Sequence, residues 1–276
     1  MSRVSSKLRF IEPQLPTLTE QPPDGADWIH EVKHDGYRTL LLVEGATARA
    51  YTRNGFDWSD RYPGIIAAAA GLPCRAAILD GEVIVQDERG AADFEALQLA
   101  LRFSPERLIL YAFDLLHLEG EDLRKCPLRQ RRGTLKALLS GDPSSSLQYS
   151  EEFTGDAAAF FDACGKHGLE GIVSKRADAP YRSGRTKTWL KTECFTESEF
   201  ILLGIDRDRK SGAPRAILAE AVEGNLVYAG AAFLALRSAA RETLAATWTN
   251  SHRSVHRLPG CGTAMRGGYA RKLWSR

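Results

Sequence analysis

The chain of 276 residues has no uninterrupted apolar run long enough to cross a membrane. Its first residues, Met1 to Phe10, include basic side chains but lack the apolar core of a secretory leader. The five cysteines, at positions 74, 126, 164, 194 and 261, form no Cys-x-x-Cys pair and show no zinc-ligand spacing. We therefore expect a cytoplasmic protein with no membrane partner, whose thiols are reduced and structural.

Acidic residues are absent after Glu242, and the last 34 residues carry six Lys or Arg side chains. Residues 1–242 hold 31 basic and 35 acidic side chains, a net charge of −4, whereas the whole chain has +2. Global charge therefore gives no indication of a nucleic-acid partner. Any such binding needs a local basic face.

Glycine-rich phosphate loops are also missing, because the chain contains neither GxxxxGK[ST] nor GxGxxG. Chemistry on a phosphate would therefore have to use side chains and a metal ion rather than a cradle of backbone amides. With 43% hydrophobic and 26% charged residues, the composition is that of a globular protein with one large or two moderate domains.

The most informative segment is KHDGYR at 33–38, which follows the apolar run from Trp28 to Val32. A strand that ends at Lys33 and turns at Asp35-Gly36 can direct the lysine amine into a pocket. There an unprotonated amine is a nucleophile. The alternative is an ordinary Asp-Gly hairpin with a solvated lysine. The motifs further along the chain distinguish between these two interpretations.

Apolar segments that alternate with turns predict strands in the first two thirds of the chain. These strands are expected at 28–51, at 77–85 around a turn at 80–82, at 108–116 and at 171–174. Apolar periodicity and capping residues predict helices at 60–71, 94–103 and 156–167. The pattern resets near Phe195, and strands at 199–205 and 215–228 and a helix at 238–249 follow. We therefore predict a domain at 1–195 and a second at 196–276.

Three acidic residues, Glu82, Asp114 and Glu170, lie in or near the ends of predicted strands. Such residues also cap turns or accept hydrogen bonds from buried backbone donors. If they meet in one place, they suit a hard, oxygen-preferring cation such as Mg²⁺. Nearby Lys and Arg side chains would suit a polyphosphate.

Six elements in order resemble the successive motifs of ATP-dependent DNA ligases. They are KHDGYR at 33–38, TRNG at 52–55, LDGE at 79–82, YAFD at 111–114, EGIVSKR at 170–176 and WLK at 189–191. More narrowly, IEPQLPTL, WIHEVKHDGYR, YTRNG and FDLLHLEG are similar to the ligase module of bacterial non-homologous end-joining ligases. The resemblance is dense from residue 10 to about 194.

The resemblance implies covalent nucleotidyl transfer. Lys33 would attack the α-phosphorus of ATP, release pyrophosphate and carry AMP as a phosphoramidate. AMP would pass to a 5′-phosphate at a DNA break, and a 3′-hydroxyl would displace it. The implied cofactors are ATP and Mg²⁺ or Mn²⁺, and the substrate is nicked or broken duplex DNA.

Position in the motifs also implies a role for each residue. Lys33 would be the catalytic nucleophile, and Asp35 would support it together with Asp114. Glu170 would be a metal ligand, and Glu82 would bind the metal or the ribose. Glu31 would read the adenine amino group, and Phe113 would stack on the base. The basic contacts to the nucleotide or the nicked strand would be Arg38, Arg53, Lys175 and Lys191.

The implied fold is α+β: an ATP-grasp-like nucleotidyltransferase domain of antiparallel sheets with flanking helices, followed by an incomplete OB-fold β-barrel. The implied context is DNA repair and recombination, with end-binding repair proteins as further partners. We expect a monomer.

Residue 193 departs from the family pattern. The family has Lys-x-Lys after the tryptophan, whereas this chain has Lys191-Thr192-Glu193. One interpretation is that the acid weakens phosphate binding or slows the loss of pyrophosphate. The other is that Glu193 points away and that Lys191, together with Lys187, is sufficient.

The C-terminal tail is the second departure, because the expected closing strand with a WVRPE-like sequence is missing. Codons that can spell residues 261–276 can, read two bases later, spell RNGDARWVRPEAVV. An out-of-frame tail from about residue 250 is therefore one explanation, and a basic arm for DNA phosphates is the other. His252 and His256 have the i, i+4 spacing of a metal pair on a helix, but we favour an ordinary basic tail.

Two alternatives to a complete DNA ligase stay open. One is a degenerate or truncated ligase that adenylylates itself or binds DNA without joining it. The other is an RNA ligase or a capping-type nucleotidyltransferase, which shares the Lys-x-Asp-Gly chemistry.

Overall fold

A computed structural model describes residues 7–141, 146–194, 200–209, 211–222 and 224–234. The chain divides into two compact units, 1–194 and 195–276. The helix predicted at 238–249, the pair His252 and His256, and the proposed out-of-frame tail lie outside the described residues. In the part of the chain that the structure describes, no helix is long and apolar enough to span a bilayer.

The first unit alternates strands and helices. Its strands are β1 Gln14–Leu18, β2 Trp28–Val32, β3 Tyr37–Glu44, β4 Thr47–Thr52, β5 Ala76–Ile84, β6 Ile109–Leu118, β7 Glu121–Asp122, β8 Leu147–Tyr149, β9 Gly171–Arg176 and β10 Gly184–Glu193. Its α-helices are α1 Pro63–Ala70, α2 Phe94–Phe103, α3 Leu128–Leu138 and α4 Ala157–Lys166.

The strands of this unit form two sheets. Sheet A has the order β1-β10-β9-β2, and sheet B has the order β4-β3-β5-β6-β7, with β8 paired to β6. Neighbouring strands are antiparallel except in the pairs β1·β10 and β6·β8, which are parallel. The α+β class is as expected, but the sheets are mixed at these two pairs rather than purely antiparallel.

The second unit contains sheet C, in which β11 Ile201–Arg207, β12 Pro214–Val222 and β13 Asn225–Phe233 pair antiparallel in this order. The predicted segment 215–228 is therefore a hairpin that continues to Phe233. An OB-fold barrel has more strands than sheet C supplies within the described residues. The barrel stays a prediction.

Successive side chains of β3 point to opposite faces of sheet B, and both faces are buried. Leu41 and Val43 pack with α1 and α2 in the larger apolar cluster. Leu40 and Leu42 pack on the other side with Phe113 and Trp189, between the two sheets. Polar groups at this second interface therefore lie between apolar layers.

The structure excludes the hairpin alternative at 33–36, and the predicted turn at 80–82 is wrong. β2 belongs to sheet A and β3 to sheet B, so residues 33–36 cross between the sheets and do not form a hairpin. The sequence Asp80-Gly81-Glu82 lies within the continuous strand β5, where the pairing with β6 shifts register. A Cβ on Gly81 would lie 2.7 Å from the Tyr111 carbonyl oxygen, so this glycine permits close strand approach rather than a turn.

Two helices also differ from prediction. α1 begins at Pro63 rather than at Asp60, since proline is favoured in the first helical turn and residues 59–61 form a 3-10 turn. α3 was not predicted, because Arg131 and Arg132 interrupt the apolar pattern of its buried face.

Arg132 connects α3 to both sheets through a buried polar network. Its guanidinium donates to Glu31 Oε1 at 2.8 Å, to the Phe113 carbonyl at 2.9 Å and to the Ser150 carbonyl at 2.7 Å. Lys175 Nζ lies 2.7 Å from the same Glu31 oxygen. Because breaking a buried ion pair leaves an uncompensated charge, this network fixes where β2 and β9 lie against sheet B.

Asp114 takes part in a second buried ion pair, with Arg131. Arg131 donates to both carboxylate oxygens of Asp114 at 2.7 and 2.8 Å, and both side chains are fully buried. Asp114 therefore anchors α3 on β6. Its expected support of Lys33 is at most indirect.

Gly171 at the start of β9 is required by its backbone. Its φ is +143°, and a Cβ there would overlap the Thr192 carbonyl oxygen on the neighbouring strand β10. Any side chain would therefore force β9 and β10 apart at the point where β2 also ends.

We expect Gly171→Ala to lower the free energy of unfolding by at least about 2 kcal/mol, because the methyl group meets backbone and the φ is unfavourable. Gly133→Ala is the matched control. Gly133 is exposed on α3, and a Cβ added there would have no neighbour within 4 Å, so alanine should stabilise by roughly 0.5–1 kcal/mol. Urea denaturation measures both; equal effects of the two substitutions would contradict this packing.

Lys175 supplies a pH-dependent term in stability. Burial lowers its pKa from 10.5 to about 8, and Arg132 adds to the effect while Glu31 opposes it. Between pH 8 and 10.5 the unfolded chain therefore binds more protons at this residue than the folded chain. The contribution of Lys175 to the free energy of unfolding must rise with pH across this window.

We expect the free energy of unfolding of the wild type, minus that of Lys175→Met, to increase by roughly 1–3 kcal/mol from pH 8 to pH 10.5. Urea denaturation at a series of pH values measures this difference. Lys136→Met, on the exposed side of α3, controls for replacing lysine by methionine. A difference that is flat or falls with pH would contradict the burial of Lys175.

Candidate active site

Sheet A presents a row of charged side chains to sheet B. Its register aligns Glu31 with Val173 and Lys191, and Glu193 with Gly171. The backbone N–H of Lys33 continues this row by donating to the Gly171 carbonyl at 2.9 Å. Since side chains two residues apart share a face, Glu31, Lys33, Lys191 and Glu193 all belong to one face of sheet A.

Lys33 contacts the carboxylate of Glu170. Its Nζ forms an ion pair with Glu170 Oε1, and the two side chains are 18% and 31% exposed. The other oxygen, Glu170 Oε2, is buried without a hydrogen-bond partner. Burial raises the pKa of Glu170, and the charge of Lys33 opposes this shift. The pair is therefore partly exposed, and one of its carboxylate oxygens has no protein partner.

Glu82 approaches the same place from sheet B. Burial raises its pKa to about 8, opposed by Arg38 and Lys33, while Asp80 and Glu170 add to the rise. Asp35 is likewise one of the charges that raise the pKa of Glu170. Lys33 and Glu170 are thus in direct contact, and Glu82 and Asp35 lie within electrostatic range of this pair.

A divalent cation fits Glu82 and Glu170. Within the described residues no group of three or more His, Cys, Asp or Glu side chains is arranged to hold a metal ion. Mg²⁺, however, is commonly bound by one or two carboxylates and completes its coordination with water and substrate phosphates. The unpartnered oxygen of Glu170 is suited to this use.

The two residues assigned to the nucleotide base are buried together. The Phe113 ring is 7% exposed, and its centroid lies 4.0 Å from Lys175 Nζ and 4.5 Å from the Arg38 guanidinium. Glu31 is held by Arg132 and Lys175. Base recognition through Phe113 would therefore compete with two cation–π contacts.

Arg38 is engaged in a bidentate ion pair. It donates to the two carboxylate oxygens of buried Asp80 at 2.6 and 2.8 Å, and Tyr181 also donates to Asp80 at 2.6 Å. Arg53, in contrast, is exposed on the turn after β4. Arg38 is therefore held by Asp80 and only slightly exposed, whereas Arg53 is exposed to solvent.

Glu193 does not point away from Lys191. Lys191 Nζ forms an ion pair with Glu193 Oε1, and the two side chains are 28% and 11% exposed. Of the two interpretations of this departure, the structure excludes the one in which Glu193 lies clear of the lysine.

Several residues of this region lie outside the motifs that the sequence shows. Arg132 and Tyr181 hold Glu31 and Asp80, and they lie in segments for which no role was predicted. His34 stacks on Tyr111 with ring centroids 4.8 Å apart, and burial lowers its pKa to about 4, with Lys175 and Lys33 adding to the shift. The paired arginines of α3 were the one visible signal, since adjacent arginines between buried leucines need partners.

Comparison with known proteins agrees with this geometry. The family model of the ATP dependent DNA ligase domain matches residues 15–193. The multifunctional non-homologous end joining protein LigD of Pseudomonas aeruginosa is 42% identical over 203 residues, which are 73% of this chain and 24% of that protein. The LigD DNA repair protein of Mycobacterium tuberculosis is 33% identical over 209 residues, which are 74% and 27%. The chain spans about a quarter of the length of these relatives.

Solved structures give the same result. A mycobacterial DNA ligase D complexed with ATP and MES is 29% identical, with a TM-score of 0.61 over 90% of this chain and 81% of that one. The ligase domain of M. tuberculosis LigD is 28% identical, with a TM-score of 0.59 over the same shares. Both likenesses indicate a mixed α+β nucleotidyltransferase-like ligase domain. Because the family model matches well over half of its residues, this chain belongs to the ATP-dependent DNA ligase family.

Proposed function

We propose that this chain transfers the adenylyl group of ATP to Lys33 and then to the 5′-phosphate of a DNA break, which a 3′-hydroxyl seals. The observation that carries the proposal is the contact between Lys33 and Glu170 in the cleft, within electrostatic reach of Glu82. Family membership supports ATP and DNA as substrates. The relatives named as end-joining proteins support a context of DNA repair by non-homologous end joining. End-binding proteins as partners stay a prediction.

In the first step, the ammonium of Lys33 releases a proton to solvent, leaves its contact with Glu170 and attacks the α-phosphorus of ATP as the free amine, which gives up a second proton to solvent as the phosphoramidate forms. A P–N bond forms while the bond from the α-phosphorus to the bridging oxygen breaks, and pyrophosphate leaves. In the second step, an oxygen of the DNA 5′-phosphate takes AMP from Lys33, which regenerates the lysine. In the third step, the 3′-hydroxyl attacks the phosphorus of that 5′-phosphate and AMP leaves, so that one ATP is used per break sealed.

Glu82 and Glu170 would hold Mg²⁺ or Mn²⁺. When bound, the cation neutralises phosphate charge next to Lys33. Asp35, on the crossing between the sheets, would orient Lys33, and Lys191 would orient the phosphates. Each of these assignments rests on the position of the residue on the cleft and on its chemistry.

The nucleotide base would lie between Glu31, Phe113 and Lys175. A carboxylate of Glu31 accepts from an exocyclic amino group, which adenine offers at the position where guanine has a carbonyl. Arg38 would contact phosphate. Arg53 would contact the DNA strand, since it is exposed, and the second domain at 196–276 would complete the grip on DNA as an OB-fold.

A second candidate is a ligase that forms the adenylyl adduct but joins DNA poorly or not at all. The ion pair between Lys191 and Glu193 favours it, because the lysine expected to hold the phosphates is already paired with a carboxylate. Such a protein would accumulate the lysine adduct in the presence of nicked DNA.

We expect Lys33→Ala to abolish transfer of AMP from α-labelled ATP to the protein, and Lys33→Arg to do the same, because guanidinium keeps its proton and does not attack phosphorus. Labelling is measured on denaturing gels. Lys136→Ala, which removes an exposed lysine of α3, is the control and should be labelled like the wild type.

The same gels distinguish the alternatives. Labelling from GTP rather than ATP would favour a capping-type enzyme. Labelling that persists in Lys33→Ala would overturn the assignment of the nucleophile. Addition of nicked duplex DNA separates a complete ligase, which discharges the label into joined product, from one that retains it.

A further inference from the structure

The two lysines on the charged face of sheet A each form an ion pair with a carboxylate. Lys33 pairs with Glu170, and Lys191 pairs with Glu193. Both lysines retain some exposure, 18% for Lys33 and 28% for Lys191. In this arrangement a polyphosphate that binds Lys191 has to displace a carboxylate.

The backbone fixes the Lys191–Glu193 contact. Both residues lie on β10, two positions apart, and their partners on β9 are Val173 and Gly171. Since side chains at i and i+2 of a strand share a face, neither residue can turn to the other face without a change of register. The carboxylate of Glu193 is therefore kept on the same face as the Lys191 ammonium, with which it pairs in this structure.

Glu193 also lies near the carboxylate that contacts the nucleophile. Glu193 pairs with Gly171 on β9, and the backbone N–H of Cys194 donates to the Glu170 carbonyl at 2.9 Å. The negative charge of Glu193 therefore lies close to the Lys33–Glu170 pair, where the α-phosphate of ATP would react.

We infer that Glu193 acts as a positioning residue that competes with the phosphates of the nucleotide for Lys191 and thereby sets the ATP concentration this chain requires. The inference rests on the proposed adenylyl transfer to Lys33. Its effect is on binding of ATP rather than on the attack itself, because Lys191 is matched by Glu193 before the nucleotide arrives and is released from it afterwards.

The test is the rate of AMP labelling of the full chain as a function of ATP concentration. We expect Glu193→Gln to lower the ATP concentration for half-maximal rate by about three- to tenfold, as expected for removing one partly exposed ion pair. The rate at saturating ATP should change by less than about twofold. Glu193→Ala should act in the same direction.

The control is Glu151→Gln, which removes the same charge from an exposed pair with Lys136 outside the cleft. It should leave the ATP dependence unchanged. Melting temperatures of all variants show whether a lost signal reflects unfolding. Glu193→Asp keeps the charge, so its ATP dependence should resemble that of the wild type. If Glu193→Gln unfolds, the ATP dependence of Glu193→Ala is compared with that of Glu193→Asp.

A double-mutant cycle identifies Lys191 as the intermediary. In a Lys191→Met background the gain from Glu193→Gln should disappear. A gain that persists there would show direct repulsion of the nucleotide and overturn the competition, as would an unchanged or raised ATP requirement in Glu193→Gln. If neither the wild type nor any Glu193 variant is labelled at Lys33, the proposed function fails instead, so the two failures are distinguishable.

Discussion

The site depends on one backbone hydrogen bond, from Lys33 N–H to the Gly171 carbonyl. It joins the residue that follows β2 to the first residue of β9, and thus places the amine of residue 33 next to the carboxylate of residue 170. Two segments separated by well over a hundred residues become neighbours through this contact. Gly171 permits it, since the backbone there leaves no room for a Cβ.

The remaining charges divide into a buried scaffold and an accessible row. Glu31, Lys175 and Arg132 have almost no exposure and form ion pairs with one another, as do Asp114 and Arg131. Lys33, Glu170, Lys191 and Glu193 are partly exposed. The buried ion pairs hold the strands in place, because a lost partner there is costly. The accessible pairs are weak enough for a charged ligand to exchange with them.

Motif order predicted which residues meet, but not how they are held. Lys33 and Glu170 come from separate motifs and are in direct contact, and Glu82 and Asp35 lie within electrostatic range of this pair. The sequence Asp80-Gly81-Glu82 predicts a turn but lies within the continuous strand β5, because Asp-Gly favours turns locally while sheet pairing overrides that preference. α3 was missed since its buried arginines have partners that only the tertiary structure supplies. The strand period places Glu193 and Lys191 on one face only if β10 extends to residue 193, which the structure shows.

The central claim is that the amine at residue 33 forms a covalent bond to the α-phosphorus of a nucleotide. Peptide mapping by mass spectrometry after incubation of the full chain with ATP and Mg²⁺ tests it most directly. The account predicts an adenylyl group on the peptide that contains Lys33, bound through the side-chain nitrogen, and unmodified peptides for Lys175 and Lys191. An adenylyl group on another residue, or joined DNA with residue 33 never modified, would contradict it.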